Sequence, residues 1–545
     1  MRGGVLRLLP TASDYRGLRG TWRRDVAAGV TVGVVALPLA LAFGISSGVG
    51  AAAGLVTAVV AGFVAAVFGG SHVQVSGPTG AMAVVLAPIV AVHGAGSIAL
   101  VTVLAGVLVL VGGVIGLGRA VTFLPWPVIE GFTLGIASII FLQQIPPALS
   151  VTPARGASPL QAAYQAVAQV NWLHAGQTLA VAGVVVLVMI VAPRLHRAIP
   201  ASLLAVVAAT AMTVLLDLPV ARIGQLPTTL AAPVLPHADL AALRSLVGAA
   251  VAIAALAAIE SLLSARVAAT MSPTGSYDPD RELFGQGLAS VASGVFGGMP
   301  ATGAIARTAV NVRSGASTRL SAVVHSVLLL AVVYLAAKPV SMIPIAALAA
   351  VLMMTALRMI SVVTVIRIVR STRSDAVVFV LTALVTVCFD LIDAVQIGVV
   401  VAAFFALRAV AHRSSVKREP LPGLTLPGDE RIALLRINGA MFFGAAERIS
   451  TTIGADVDLD DVDAVIIGMS RVDLLDATGA NAVAEIATEL ESRGIAVIIK
   501  GVAPDQRKLM ASIGVIDSLR HRNHLVDTVD EAVAHARSHI GGVHV

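Results

Sequence analysis

The stretch "SGPTGAMAVV", residues 76–85, and the stretch "ATGAIARTAV", residues 301–310, carry one pattern twice in a chain that is otherwise rich in apolar runs. Thr79-Gly80-Ala81-Met82-Ala83 and Thr302-Gly303-Ala304-Ile305-Ala306 differ at a single apolar position. Gly77-Pro78 before the first copy breaks any helix that runs into it. A broken helix exposes backbone N–H groups at its new start, and in lipid each costs several kcal/mol unless it faces protein or a cavity. Where such a start lines a water-filled site it carries about half a unit of positive charge. Two such starts, related by a pseudo-twofold axis, make a site for an anion near the midplane of a membrane. TGAxA also arises by chance in an Ala- and Gly-rich chain, so the position of each copy is what gives the match weight.

The surrounding composition is that of a membrane protein. Of 545 residues, 57% are hydrophobic and 12% are charged, against about 25% charged in a soluble domain. One cysteine, Cys388, excludes an internal disulfide framework. No Walker A loop, GxGxxG or haem-attachment motif is present, so no cofactor and no metal site is expected. Residues 429–545 hold 18 acidic and 11 basic side chains, against 13 and 26 on residues 1–428. The two regions therefore sit in different surroundings. The basic excess comes without aromatic-rich basic patches, which argues against nucleic acid. The basic start of the chain leads straight into the first of many apolar runs, which reads as a first span and not as a signal peptide.

About 20 apolar residues cross a bilayer. Fourteen candidate segments follow: 26–46, 50–68, 79–92, 95–117, 126–146, 175–192, 199–216, 246–266, 285–297, 303–312, 318–337, 342–360, 374–390 and 394–411. The third, ninth and tenth are short, and the third and tenth begin with the repeated pattern. Arg16, Arg19, Arg23 and Arg24 precede the first span and place that end in the cytoplasm. Alternation then puts Arg119, Arg194, Arg281, Arg313, Arg319, Arg367, Arg370 and Arg373 inside, while the predicted outer loops 147–174 and 217–245 hold Arg155, Arg222 and Arg244. Seven spans plus seven invert the second half relative to the first, and the broken helices occupy the same place in each. An even number of spans leaves the C-terminal region in the cytoplasm. There "KREPLPGLTLPGDE" (417–430) reads as a linker, and the strand and helix patterns beyond it read as a small α/β domain.

"DVAAGVTVGVVALPLALAFGISSG" (25–48), "VSGPTGAMAV" (75–84) and "FGGMPATGAIARTAVNVRSGAST" (296–318) resemble the sulfate permease (SulP) family of anion transporters. The C-terminal part is similar to the STAS domain that follows the spans in that family. The resemblance implies fourteen segments in a 7+7 inverted repeat, divided into core and gate domains. It also implies an anion held between segments three and ten, an elevator-like displacement of the core, and a homodimer in the cell membrane. The expected organisation is a cytoplasmic segment 1–24, a transport domain 25–413, a linker 414–429 and a STAS domain 430–545.

Particular residues carry the functional expectation. Thr79, Gly80, Ala81, Gly303, Ala304 and Ile305 are expected to offer backbone donors to the anion, with Thr79 and Thr302 capping the half-helices or donating to the ligand. Glu260 lies within span eight, where an acid is functional by default; it is the candidate proton carrier, with a structural pair to Arg266 as the plainer reading. Many bacterial and plant members of the family resemble this chain in having Glu here, which implies coupling to protons. Sodium-coupled bicarbonate members carry Asp with a hydroxyl one turn on, and Ser264 stands at i+4 from Glu260, so Na+ stays open beside H+. Arg307 is permanently charged and matches an Arg of the family's animal relatives, as Phe43 matches an aromatic that lines the family's pocket. Pro38 kinks its helix; Asn311 and Arg313 receive no role. Thr478, before Gly479 in "DLLDATGANAV" (473–483), stands where related bacterial regulators are phosphorylated, although a helix N-cap explains it too. "DVDLDDVD" (456–463) lacks the Gly and distal Glu of a calcium loop and reads as a solvated acidic loop. The sum is a secondary transporter of a small inorganic or carboxylic anion, sulfate first, in symport with protons, and not an enzyme. The alternatives are sodium–bicarbonate symport, dicarboxylate transport, a passive channel or uniporter, and a STAS-based signalling receptor.

Overall fold

A computed structural model describes residues 7–540, apart from 16, 120–124, 153, 155–156, 196–199, 227, 237–239, 273–276, 389–390, 424–425, 444 and 454–460. The chain divides into two compact units, 1–399 and 400–545.

The first unit is helical: α1 Leu18–Ser46, α2 Ala51–Phe68, α3 Gly80–His93, α4 Ile98–Val114, α5 Trp126–Ala148, α6 Pro159–Ala168, α7 Trp172–Leu195, α8 Ala201–Leu215, α9 Leu240–Met271, α10 Pro279–Val295, α11 Ile305–Arg313, α12 Leu320–Leu335, α13 Ile345–Met359, α14 Val362–Val369 and α15 Arg373–Cys388, with α16 Leu391–Arg413 leading into the second unit. Each expected span has a helix at its place. Among the described residues, seven helical stretches are long and apolar enough to cross a membrane, including Leu18–Ser46 and Leu243–Met271. Helix α6 was not expected. It forms within the segment read as an outer loop because Ser158 and Gln161 build a reciprocal capping box around Pro159. Helix α10 starts earlier than expected because the Asp278 carboxylate accepts from the N–H groups of Asp280 and Arg281.

Two bundles result. In one, α1 packs on α2 and α12, α2 on α10 and α12, and α4 on α9 and α10, with α11 against α9. In the other, α5 packs on α13 and α15, and α7 on α8 and α13. The first contains both broken helices. Before them, β1 (Ser76–Gly77) and β2 (Thr302–Gly303) pair antiparallel, Ser76 opposite Gly303 and Gly77 opposite Thr302. The two copies of the pattern thus meet in opposite directions, as an inverted repeat requires. Asn311, which had no role in the sequence, holds this crossing: its amide donates to the Val73 carbonyl and the Ser321 hydroxyl, each at 2.8 Å.

The N-terminal segment is locked to the same bundle. Arg281 Nη1 and Nη2 donate to Asp14 Oδ1 and Oδ2 at 2.8 Å each, and Arg319 Nη2 lies 3.9 Å away. Burial pushes the Asp14 carboxyl up, but the hydrogen bonds from Arg281 and the Thr11 N–H, with both guanidinium charges, outweigh it and hold the group well below the usual carboxylate range. A depressed folded value means the lock contributes fully above the ordinary Asp value of about 3.9 and fades as pH falls below it. Asp14→Asn, which leaves two buried guanidiniums unpaired, is expected to cost about 3 kcal/mol at neutral pH, read as a lower melting temperature in detergent. An unchanged melting temperature at neutral pH would refute the lock.

The second unit carries a five-stranded sheet in the order β3-β4-β5-β6-β7: Ser415–Glu419, Ile432–Met441, Ala464–Leu475, Ala496–Lys500 and Leu525–Val526. Strand β3 is antiparallel to β4 and the others are parallel. Leu435 and Ile437 of β4 pack into one buried cluster while Ile432 and Leu434 pack into another, so both faces of the sheet are covered. The covering helices include α17 Ala477–Ser492, α18 Pro504–Ile513 and α19 Val529–Ile540. The expected linker 414–429 is corrected here. Its first part is β3, an edge strand whose charged residues "SVKRE" disguise it as linker composition; Glu419 pairs with Arg436 of β4. Residues 456–460 of the acidic run and 541–545 lie outside the described residues.

Candidate anion-binding and coupling site

Helix α3 starts at Gly80 with Thr79 as N-cap, and α11 starts at Ile305 with Ala304 as N-cap. The antiparallel crossing of β1 and β2 brings Thr79 and Thr302 together, their hydroxyl oxygens 3.1 Å apart. Each also lies 2.8 Å from one carboxylate oxygen, Glu260 Oε2, which reaches in from α9. A hydroxyl has one proton. With both donated to the carboxylate, the Thr79–Thr302 contact is oxygen to oxygen. Thr79 also accepts the N–H of Met82, the second link between a half-helix and its cap. The two helix starts therefore converge on a negative group supplied by the protein itself.

Helix α9 does more than carry Glu260. Ser261 accepts the N–H of Gly303 at 3.1 Å, and Ser264 shares a hydrogen bond with Thr308 of α11 at 3.2 Å. Thr308 in turn accepts the Val75 N–H. Ser264 thus faces α11 and does not join the oxygens around Glu260. Two of the expected backbone donors are occupied as well. Gly303 N–H goes to Ser261, and Ala304 N–H goes to the Val75 carbonyl at 2.9 Å. The Ala304 bond extends the β1–β2 ladder, whereas the Gly303 N–H is taken by a side chain of α9. Among the described residues, the N–H groups of Gly80, Ala81, Ile305 and Ala306 have no acceptor in protein. Ser261 escaped the sequence reading, although Glu260, Ser261 and Ser264 form a cluster of polar groups on one sector of an apolar helix.

The two helix starts differ in access. Gly80 is buried: a Cβ there would lie 2.3 Å from Ile140 Cδ1 of α5 and 3.2 Å from Phe43. Phe43 therefore closes over the start of α3 and is itself buried. Ile305, by contrast, is 42% exposed at the start of α11, and Glu260 is partly exposed. A cavity of 710 Å³ lies alongside the first half-helix after its first turn, lined by Ser46, Val84, Val85, Gln143, Gln144 and Ile345 among others, and none of the ten repeated-pattern residues lines it. Ala81, Thr302, Gly303 and Ala304 are all buried.

Arg307 is 2% exposed. Its Nη2 donates to the Pro78 carbonyl at 2.5 Å. Its Nη1, which would lie 2.8 Å from a Cβ on Gly77, is buried without a hydrogen-bond partner. So Arg307 bridges the second half-helix to the loop that starts the first and still holds one free donor edge. In the second unit, Thr478 is exposed, and the N-cap of α17 is Asp476, whose carboxylate accepts from Gly479 N–H at 2.7 Å. The capping role assigned to Thr478 is thus corrected: the acid two residues earlier takes it.

The sequence profile described as the sulfate permease family matches residues 22–382, and that of the STAS domain matches 424–532. A putative sulfate transporter of Bacillus subtilis, YvdB, is 32% identical over 518 residues, covering 94% of this chain and 97% of its own length. The transmembrane domain of a cyanobacterial bicarbonate transporter, BicA, is 32% identical, covers 70% of this chain and 97% of its own, and superposes with a TM-score of 0.61. The murine Solute Carrier 26 family member A9 anion transporter, at 16% identity, shares the fold over 99% of this chain and 95% of its own with a TM-score of 0.83. With its paired half-helices, its helical membrane unit and its C-terminal α/β sheet, the chain belongs to the sulfate permease family and carries a STAS domain.

Proposed function

We propose that the protein is a proton-coupled symporter of a small anion, with sulfate as the first candidate substrate, in the cytoplasmic membrane. The observation that carries this reading is the Glu260 carboxylate at the convergence of Thr79 and Thr302. An ionised Glu260 repels an anion that approaches the two helix starts. At about 6 Å and an effective dielectric of about 20, one such repulsion amounts to roughly 3 kcal/mol, or on the order of 100-fold in affinity. Protonation removes it, so proton and anion enter together. The protonated acid then donates to one threonine oxygen, and the freed hydroxyl proton turns toward the substrate. Gly80, Ala81 and Ile305 supply N–H donors and Arg307 the permanent charge, and no covalent step is involved. The bundle holding both half-helices moves as an elevator against the other, in a homodimer with the N-terminus and STAS domain in the cytoplasm; exposed Thr478 is the candidate phosphorylation site.

Sodium–bicarbonate symport is the second reading. Glu260 Oε2 and the two threonine oxygens lie 2.8–3.1 Å from one another, a compact set of hard oxygen ligands, and a relative is named as a bicarbonate transporter. Uptake of labelled sulfate, bicarbonate and fumarate by proteoliposomes separates the readings. Sulfate uptake accelerated by acid outside, without sodium, is expected. Uptake of bicarbonate driven only by sodium replaces the first reading by the second. Uptake indifferent to both gradients makes the protein a uniporter or channel.

A further inference from the structure

A cluster of imidazoles in the second unit has no part in transport. His535 and His539 lie one turn apart on α19, and so share a face. His524 stands at the end of the short turn Arg522–His524, just before β7. Ring centroids are 5.0 Å apart for His524 and His535, 5.1 Å for His524 and His539, and 5.2 Å for His535 and His539. One ring nitrogen from each can be chosen so that all three lie within 4.8 Å of one another. The Nε2 atoms of all three are buried and have no hydrogen-bond partner.

Edge-to-face packing of three rings accounts for the geometry but not for the nitrogens. An unpaired buried polar group costs about 1–3 kcal/mol, and three in one place call for a shared partner. The tautomer of His524 is fixed as a ligand needs it. Its Nδ1 lies 2.8 Å from the Val497 carbonyl of β6 and donates to it, which leaves the lone pair on Nε2. Such a backbone acceptor behind a metal-binding imidazole orients the ring and raises its basicity.

We propose that His524, His535 and His539 form a binding site for a divalent transition-metal ion, zinc in the first instance. Imidazole donors suit zinc, nickel and copper, and the absence of carboxylates from the three-ligand set disfavours calcium and magnesium. A tetrahedral ion about 2.1 Å from each nitrogen draws them to about 3.4 Å apart, a contraction that side-chain rotation in the last two turns of α19 supplies. A water or the exposed His521, whose ring lies 5.5 Å from that of His524, completes the shell. The ion ties the C-terminal helix to the sheet through His524, and so makes the closure of this domain metal-dependent.

The full chain, purified in detergent without a polyhistidine tag, is titrated with Co2+ as a spectroscopic probe. One ion per chain, with the intense visible bands of tetrahedral coordination and displacement by Zn2+, is expected. His535→Ala and His539→Ala, both partly exposed and replaced by a good helix former, are expected to weaken binding at least about 10-fold each and to remove the bands together. His524→Ala also loses the bond to Val497, so the two helix variants carry the test. Absence of the bands in the parent protein overturns the proposal. So do bands and affinity that survive in the double variant.

Discussion

Under the proposed proton symport, Glu260→Gln is expected to make sulfate uptake indifferent to an inward proton gradient, so that the ratio of rates with and without the gradient falls to one. The glutamine keeps the size of the side chain and one oxygen to accept from Thr79 or Thr302, but it neither binds nor releases a proton. The site is then held permanently in the form that admits the anion. Gradient-driven accumulation disappears, while exchange of labelled for unlabelled anion across the same membrane continues. In the parent, the two hydroxyl bonds to a charged acceptor contribute about 1.5–3 kcal/mol each, so Glu260→Ala, which removes both, is expected to lower the melting temperature in detergent. Stimulation by acid that persists in Glu260→Gln would show that the proton is carried elsewhere.

Gly54→Ala is expected to leave little folded protein. Gly54 of α2 and Gly44 of α1 sit backbone to backbone. A Cβ on Gly54 would lie 2.0 Å from the Ala40 carbonyl oxygen and 3.0 Å from the Gly44 backbone; one on Gly44 would lie 2.3 Å from the Gly50 carbonyl oxygen. No flexible side chain is present to yield, so the helices must separate. In lipid, close packing of small residues is itself the attraction between helices, and overpacking of about 3 kcal/mol or more is a large share of the total. Gly248→Ala in α9 and Gly183→Ala in α7, where a Cβ meets nothing within 4 Å, are the controls and should be neutral or slightly stabilising. Size-exclusion profiles and melting temperatures in detergent distinguish the two classes. A Gly54→Ala protein as stable as the controls would refute the contact.

The spans and the first half-helix start are local properties, carried by runs of apolar residues and by Gly and Pro, and they were legible; the second start lies two residues later than expected, with Ala304 and not Thr302 as its N-cap, because Thr302 and Gly303 pair as β2. So was Glu260, since an acid in an apolar helix stands out wherever the helix lies. Ser261 and Ser264 were legible only as polar positions; that one accepts from Gly303 and the other meets Thr308 depends on where α9 runs relative to β2 and α11. Strand β3 was hidden because an edge strand tolerates the charges of a linker. The histidines of α19 show a four-residue spacing, but their third partner is eleven residues upstream of the nearer one and aimed by a carbonyl from another strand.

By itself the sequence determined a membrane transporter with two interrupted helices in equivalent places and a small α/β domain after them, because hydropathy and chain breaks act over a few residues. Only the tertiary structure decided what occupies the meeting point. Residues 79, 260 and 302 are more than forty positions apart, and hydrogen bonds between them exist only once the inverted halves have crossed. That crossing gave one of the expected ligand donors, the Ala304 N–H, to the Val75 carbonyl and another, the Gly303 N–H, to the Ser261 hydroxyl, and put a carboxylate of the protein's own between Thr79 and Thr302.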